Sequence, residues 1–320
     1  MRYIVYGAGA VGGTIGARLH ESGHEVVFAA RGRHLEALKT DGLTFRTPDG
    51  TAKLSVDAIG HASEIDFRPD DVVVLTVKSQ DTVGALEAIR ESGGSQVPIF
   101  CAQNGVANER IAARRFANVY CTVVMLPASH LEPGVIQSES APISGILDTG
   151  LYPLDSDDLC TQVCRDFEES RFSARPDKRI MRQKYRKLLM NLNNAVGAIC
   201  VPGEGAKRLS EIITKEAETV YEAASIDCMS AEDFKARRGD LIRAHRLPGS
   251  SRLGSSSWQS LARGTGSIET DYLNGEITLL GRLHSVPTPA NSLVQDEANR
   301  SAREGLPPES IEADELLAKI

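Results

Sequence analysis

The glycine pattern Gly7-Ala8-Gly9-Ala10-Val11-Gly12 constrains the fold of this chain more than any other feature. It follows the apolar run Tyr3–Tyr6 directly and opens the helical segment Val11–Glu21. In a strand–turn–helix, the first glycine permits a tight turn, the second lets the backbone approach a pyrophosphate, and the third lets the helix pack on the strand. The helix N-terminus then stabilises the phosphate charge. Because a second strand, Glu25–Ala29, follows at the expected distance, we predict that residues 7–12 bind a dinucleotide rather than form a plain glycine-rich turn.

Further apolar runs alternate with helices up to about residue 150. Besides the first two strands, the runs Asp71–Val77, Pro98–Cys101 and Val119–Met125 have the length and apolar character of parallel strands that are covered on both faces. The segment His34–Lys39 is a further predicted helix, and more strand and turn are predicted after Pro133-Gly134, up to about Ile146. This alternation predicts βαβ units in a single sheet.

The second part of the chain has a helical pattern. The predicted amphipathic helices, separated by Gly or Pro, are Lys178–Cys200, Lys207–Ile226, Ala231–His245, Glu269–Leu283 and Ala290–Glu304. The stretch 249–257 is predicted to be a loop. The fold class is therefore α/β: a Rossmann-type doubly wound parallel sheet in residues 1–175, followed by an all-α C-terminal domain in residues 176–320. We expect a small ligand to bind in a cleft between the two.

Composition and charge exclude several classes of protein. The 320 residues are 41% hydrophobic and 25% charged, as in an ordinary globular protein, and no apolar run is long enough to span a membrane. The net charge of -7 disfavours a nucleic-acid partner. The first residues lead straight into a strand without a signal-peptide pattern, which predicts a cytoplasmic protein. The six cysteines form no CxxC pair and lack nearby histidines, so we expect reduced thiols and no metal site.

The end of the second strand bears on the choice of cofactor. An NAD site usually has Asp or Glu here to bind the ribose 2′-hydroxyl. This chain instead continues from Ala29 with Ala30-Arg31-Gly32-Arg33. Since the forked donors of Arg31 can pair with a 2′-phosphate, NADP(H) is the predicted cofactor, the alternative being a solvated surface arginine.

Several motifs, in order over nearly the whole chain, resemble ketopantoate reductases (2-dehydropantoate 2-reductases). Besides the glycine pattern they are Thr76-Val77-Lys78, Gln103-Asn104-Gly105, the run Tyr185 to Asn191 (YRKLLMN), the run Glu269 to Gly275 (ETDYLNG) and Val286-Pro287-Thr288-Pro289. The resemblance implies hydride transfer from NADPH to the ketone of a 2-oxo acid. Its best-known form is the reduction of ketopantoate to pantoate in pantothenate and coenzyme A biosynthesis.

The resemblance also implies roles for individual residues. Lys187 matches the family's catalytic lysine, and a lysine is suited to protonate and stabilise the alkoxide that ketone reduction creates. Asn191 lies one turn later on the same helix face. Glu269 matches the family's acidic residue, which helps to hold substrate and lysine. Lys78 and Asn104 follow predicted strands, where side chains reach cofactor and substrate. Taken alone, Lys187 is typical of a solvated basic helix, Glu269 of a helix start and Asn104-Gly105 of a turn.

The sequence departs from the family pattern on the substrate side. The family usually carries a second asparagine where this chain has Ala195, with Asn193 and Asn194 before it. Its serine loop, which holds the substrate carboxylate, normally reads Ser-Met-Leu-Gln-Asp, whereas this chain reads Ser256-Ser257-Trp258-Gln259-Ser260. Both Ser256 and Ser257 are therefore candidates for the carboxylate, and the stretch 264–269 is one residue longer than usual. These differences leave the true 2-oxo acid open.

Three readings of the function follow. The first is a ketopantoate reductase, the second a related dehydrogenase of another 2-oxo or hydroxy acid, and the third a non-catalytic NADP(H)-binding sensor. The presence of Lys187 and Glu269 argues against the sensor. The resemblance also implies pairing of helical domains, and so a homodimer.

Overall fold

A computed structural model describes residues 1–243, 245, 247 and 254–320. The strands are β1 Arg2–Tyr6, β2 Glu25–Ala29, β3 Leu43–Thr47, β4 Gly50–Leu54, β5 Asp57–Ile59, β6 Asp71–Leu75, β7 Ile99–Cys101, β8 Val119–Thr122, β9 Ala128–Ser129, β10 Val135–Ser138, β11 Gly145–Ile146, β12 Thr149–Leu151 and β13 Phe172–Ser173. The helices are α1 Ala10–Glu21, α2 Gly32–Asp41, α3 Thr82–Glu91, α4 Asn108–Ala113, α5 Asp158–Glu169, α6 Ile180–Ile199, α7 Glu204–Ala223, α8 Ala231–Arg238, α9 Ser256–Ala262, α10 Asn274–Leu283, α11 Pro289–Glu304 and α12 Ala313–Leu317.

The chain divides into two compact units. The sheet unit comprises residues 1–103 and 108–181 and the described part of 231–250. The helical unit comprises residues 104–107 and 182–230 and the described part of 251–320. The domain boundary that the sequence predicts at residue 175 stays a prediction.

The main sheet of the sheet unit has the order β12-β8-β7-β6-β1-β2-β5. All neighbours in it are parallel except β12, which is antiparallel to β8. The inner strand β1 is fully buried, and its side chains alternate between two cores. Tyr3 and Val5 lie in the core that also contains residues of α1 and α5, whereas Ile4 and Tyr6 lie in the core with α3. The predicted doubly wound α/β sheet is confirmed.

A second sheet, with the order β4-β3-β10-β9, packs on α1 in the same unit. Strands β3, β4 and β5 were not predicted from the sequence. Strand β4 is mostly exposed and β5 has only three residues, so neither has a clear apolar pattern. The predicted strand Val119–Met125 was too long: β8 ends at Thr122, and Met125 makes only an isolated bridge to Ile146.

The helical unit consists mainly of α6, α7, α10 and α11, as the sequence predicted, with three local differences. The predicted helix Glu269–Leu283 is a short 3-10 helix, Glu269–Tyr272, followed by α10, with an irregular Leu273 between them. The predicted helix Ala231–His245 ends at Arg238 as α8, which belongs to the sheet unit. The predicted loop was wrong for Ser256 and Ser257, which begin α9, while residues 249–253 lie outside the described part of the chain.

Two further features of the structure concern its helices and its cysteines. Among the described residues, no helix is both long enough and apolar enough to cross a lipid bilayer. All six cysteines are free thiols, and only Cys228 is not fully buried.

Candidate active site

The glycine turn of the sheet unit is built from backbone atoms. Gly7 has a φ of +115°, which side chains rarely adopt, and a Cβ there would lie 2.6 Å from the Val77 backbone nitrogen. A Cβ on Gly12 would lie 2.3 Å from the Gly7 carbonyl oxygen. Thr76, which follows β6, fixes the turn because its hydroxyl donates to the Gly7 carbonyl at 2.8 Å. The turn therefore brings β1, α1 and the end of β6 into close contact.

The start of α1 leaves room for a phosphate group. Gly9 is the N-cap residue and has no side chain to accept from the free helix N–H groups. A Cβ added to Gly9 would meet nothing within 4 Å, so the space above this residue is open. The first turn of α1, which contains Ala10 and Val11, carries no acidic side chain that would repel an anion. These features fit a dinucleotide pyrophosphate.

Arg31, the residue predicted to bind the 2′-phosphate, is exposed at the end of β2. It follows β2 as the N-cap of α2, and its side chain is 76% exposed. One guanidinium nitrogen, Nη2, donates to Asp81 at 3.1 Å, which leaves other donors of the five N–H groups for an anion. Burial raises the pKa of Tyr6, and the charge of Arg31 acts against that rise, so Arg31 lies near the end of β1. Lys78 lies three residues after β6, as the N-cap of the 3-10 helix Ser79–Asp81.

The predicted substrate residues all belong to the helical unit. Asn104 and Asn191 are 87 positions apart in sequence, yet the Asn191 amide donates to Oδ1 of Asn104 at 2.9 Å. Asn191 is buried and lies one turn after the half-buried Lys187 on α6. Gly105 has a φ of +79°, and a Cβ on it would lie 2.9 Å from the Tyr272 carbonyl. The Asn104 loop therefore packs on the 3-10 helix that begins with the buried Glu269.

The helix α9 contains two serines, Ser256 and Ser257, whose hydroxyl oxygens are buried. Ser255 caps the helix by accepting from the Trp258 N–H, and it donates to the Asn194 carbonyl of α6 at 3.0 Å. Ser256 Oγ and Ser257 Oγ have no hydrogen-bond partner among the described residues. Because buried polar atoms are nearly always hydrogen-bonded, these two hydroxyls have hydrogen-bonding capacity that the described residues do not use.

A buried network of polar side chains includes Thr270, the residue after Glu269, and was not predicted from the sequence. The Asn274 amide donates to the Leu192 carbonyl and to Asn291 Oδ1, and its own oxygen accepts from Thr270. Asn291 in turn donates to Glu216, which also accepts from the backbone N–H groups at the start of α11. Asn274 thus connects the residue after Glu269 with the residue after Asn191. The motif containing Asn274 was noticed in the sequence, but nothing local indicated its partners.

Basic residues cluster in the sequence between Arg175 and Lys187, and this basic run does not form a single solvated face. Lys178 is exposed, whereas Lys184 is only 3% exposed. The histidines His130 and His245 are respectively half-buried and exposed.

Comparison with known proteins decides the family. Residues 3–145 match the family model described as ketopantoate reductase PanE/ApbA, and residues 179–301 match the model of the C-terminal part of that family. The chain belongs to the ketopantoate reductase family. The resemblance stated from the sequence motifs is thereby confirmed.

Similar proteins cover nearly the whole chain. A 2-dehydropantoate 2-reductase of Pyrococcus horikoshii is 27% identical over 300 residues, which are 92% of this chain and 95% of the relative. A crystal structure of a PanE/ApbA family ketopantoate reductase from Ralstonia eutropha JMP134 is 26% identical, with a TM-score of 0.80 over 95% of this chain and 99% of that one. D-mandelate dehydrogenase, solved with NADH and anilino(oxo)acetate, is 20% identical with a TM-score of 0.77 over 96% and 100% of the two chains. At that identity the last likeness shows the fold alone.

Proposed function

We propose that this member of the ketopantoate reductase family reduces a 2-oxo acid to a 2-hydroxy acid with NADPH, and that the acid is 2-dehydropantoate in pantothenate and coenzyme A biosynthesis. The observation that carries the proposal is the grouping in one unit of Lys187, the bonded pair Asn104–Asn191, buried Glu269 and two buried serine hydroxyls. The names of the relatives support the choice of substrate. The cleft between domains, the cytoplasmic location and the homodimer stay predictions.

The glycine turn and Arg31 are proposed to hold the cofactor. The free N–H groups at the start of α1 bind the pyrophosphate, and Gly9 leaves the space for it. Arg31 pairs with the 2′-phosphate. Lys78 binds the cofactor near the end of β6. NADPH, when bound, supplies the hydride.

Lys187 is proposed as the proton donor. Hydride addition to the ketone carbon leaves an alkoxide, which the Lys187 ammonium stabilises and then protonates. The lysine regains its proton from water. Glu269 holds the lysine and the substrate in place as the family resemblance implies, and a carboxylate favours the charged ammonium that this role requires.

The asparagines and serines are proposed to bind the substrate. The bond from Asn191 to Asn104 leaves the second N–H of Asn191 as a further donor. Ser256 and Ser257 supply hydroxyl donors for the substrate carboxylate, which would satisfy their buried oxygens. A second candidate substrate, a bulkier or aromatic 2-oxo acid, is favoured by Trp258, which lies on α9 directly after both serines.

The test is NADPH oxidation with a panel of 2-oxo acids that includes 2-dehydropantoate. We expect 2-dehydropantoate to give the highest kcat/KM. Lys187→Ala should lower kcat by about 10²–10⁴-fold without weakening NADPH binding. Lys178→Ala, an exposed lysine of the same basic run, is the matched control and should leave kcat unchanged. Turnover by Lys187→Ala at the parent rate would overturn the role of the lysine, and a faster aromatic acid would establish the second substrate.

Arg31→Ala tests the choice of cofactor. Since only NADPH carries the 2′-phosphate, its Kd should rise by about ten- to a hundredfold, as for loss of a charged hydrogen bond, while the Kd of NADH changes little. Equal losses for the two cofactors would refute the placement of Arg31.

A further inference from the structure

His34 lies between two backbone segments of the sheet unit. It is on α2, and its Nε2 is 2.7 Å from the Ala8 carbonyl oxygen. Its Nδ1 is 2.9 Å from the backbone nitrogen of Gly134. A backbone N–H can only donate, so Nδ1 must accept and carries no proton. The Nε2–H therefore donates to Ala8, and the ring is the neutral Nε2–H tautomer.

The bond to Ala8 acts on the glycine turn. The Ala8 N–H donates to the Ala29 carbonyl at 3.0 Å, and its carbonyl accepts from His34, so both polar backbone groups of this residue are held. Ala8 immediately precedes Gly9, the N-cap residue of α1. The orientation of the peptide that leads into the phosphate-binding end of α1 is therefore fixed by a side chain from another helix.

The second bond anchors the imidazole to the smaller sheet. Gly134 has a φ of +74°, and its carbonyl accepts from the Thr44 N–H at 2.8 Å. A Cβ on Gly134 would lie 2.9 Å from the Ala37 Cβ, so this segment packs closely against α2. Because Gly134 is itself held in place, the ring has little freedom to turn away from Ala8.

We propose that His34 is a positioning residue for the cofactor turn, that only its neutral form holds both segments, and that protonation of His34 weakens NADP(H) binding. A protonated ring carries N–H groups at both nitrogens. The new Nδ1–H would then face the Gly134 N–H, and one of the two bonds would be lost. This inference rests on the proposed binding of NADP(H) at the glycine turn.

The surroundings favour the neutral ring. Burial lowers the pKa of His34, and the hydrogen bond to Ala8 opposes that shift in part. The ring of His130 lies beside it, with the two centroids 4.2 Å apart. The other ionisable residues of the adjoining segments are Arg31, Arg33, Glu36, Lys39 and Glu132. Among these side chains, an imidazole is the type that ordinarily changes charge near neutral pH, so the titration of His130 must be separated from that of His34.

The test is calorimetric titration with NADP⁺ from roughly pH 5.5 to 8, a range that brackets the ordinary histidine pKa. Because burial lowers the pKa of His34, only part of the protein carries a protonated ring at the acid end, so we expect the Kd of the parent protein to rise there by less than about tenfold, the limit set by one lost hydrogen bond. In His34→Gln the amide can still donate to Ala8 but cannot titrate, so most of that pH dependence should disappear. His34→Leu should bind weakly at every pH.

The controls separate other titrations. The 2′-phosphate of NADP⁺ also titrates, but it contributes equally to the parent and the variants at each pH. His130→Gln should keep the acid loss if His34 is its source, and so should His284→Gln, which changes an exposed histidine of the helical unit. His34→Leu should raise the KM for NADPH far more than it lowers kcat, a split that a general loss of stability would not produce.

Three outcomes would overturn the proposal: an unchanged pH dependence in His34→Gln, its loss in His130→Gln alone, or a protonated Nδ1 in the ¹⁵N NMR spectrum of the parent protein at neutral pH. The last result decides the tautomer even if His34→Leu does not fold. A protein that binds NADP⁺ with the predicted pH dependence but reduces no 2-oxo acid would uphold the role of His34 while refuting the proposed reaction.

Discussion

The candidate binding groups of the two units differ in chemical kind. In the sheet unit the cofactor turn consists of backbone atoms, and its critical residues are glycines that have no side chain to contribute. In the helical unit the site consists of side chains that bond to one another across long stretches of sequence, such as Asn191 with Asn104 and Asn274 with Asn291. The backbone site depends on local geometry and the side-chain site on tertiary packing, so substitutions should affect the two in different ways.

The largest expected effect concerns the side-chain network. Asn274→Ala removes the donor to Leu192 and Asn291 and the acceptor for Thr270, all inside the helical unit. Buried groups that lose their partners cost about 1–3 kcal/mol, so we expect the free energy of unfolding to fall by about 2–3 kcal/mol. Thr270 and Leu192, the neighbours of Glu269 and Asn191, each lose a hydrogen bond, so kcat should fall as well. The activity is measured under conditions in which the variant remains folded.

A matched control for this change is available on α11. Asn299 makes one bond, to Asp271 at the surface, so Asn299→Ala should change the free energy of unfolding by less than about 0.5 kcal/mol. If urea unfolding gave equal losses for the two alanine variants, the network would not have the importance assigned to it.

The next effect distinguishes two glycines of one turn. Gly12→Ala places a Cβ against the Gly7 carbonyl and should cost about 1–3 kcal/mol of stability through overpacking. Gly9→Ala projects into open space, so the melting temperature should hardly change, yet the Kd of NADPH should rise by about tenfold or more, equivalent to 1.4 kcal/mol.

Gly197→Ala serves as the control for both, since a Cβ on this exposed residue of α6 meets nothing within 4 Å. It should stabilise the protein by about 0.5–1 kcal/mol, as expected for Gly to Ala in a helix. Undiminished NADPH binding by a folded Gly9→Ala protein would refute a phosphate site built from the backbone at α1.

The smallest expected effect concerns a buried side chain, rather than the backbone, of the sheet unit. Glu139 is buried, its Oε1 has no hydrogen-bond partner among the described residues, and burial raises its pKa. A raised pKa in the folded state means that stability is greatest below the unfolded pKa and falls as the pH rises through the folded one. Glu139→Gln should therefore raise the free energy of unfolding by about 1 kcal/mol at pH 7.

The pH dependence makes this prediction specific. The gain from Glu139→Gln should vanish below the ordinary glutamate pKa of about 4.3, where the parent carboxyl is also neutral. Glu132→Gln, at an exposed position in the same region, should show no such gain. A stability difference that was independent of pH would show that ionisation of Glu139 is not its cause.

The same contrast explains which elements the sequence predicted. Strands β1 and β2 were predicted to within a residue, because continuous apolar runs flank a glycine turn whose geometry is local. The helix over 269–283 was predicted without its break, because the irregular backbone of Leu273 accompanies tertiary bonds made by Asn274. Ser256 and Ser257 were assigned to a loop because small polar residues are typical of turns, whereas the cap supplied by Ser255 starts a helix there.

The candidate site was predictable to a similar extent. Glycine spacing predicted the cofactor turn, and family motifs predicted Lys187, Asn191 and Glu269, whose roles stay predictions. The bond from His34 to Ala8 spans 26 positions and the one from Asn291 to Glu216 spans 75, so neither contact can be predicted from the local sequence. Residues that position others through such contacts become visible only in the folded chain.

The most direct test of the central claim is a single turnover with NADPH deuterated at C4 of the nicotinamide, in the transferable position, and 2-dehydropantoate as the acceptor. We predict that mass spectrometry and NMR of the product will find one deuterium on C2 of pantoate, and that Lys187→Ala will form little of this product while still binding the cofactor. Absence of deuterium from C2 in any 2-hydroxy acid formed from the panel would contradict hydride transfer by this protein.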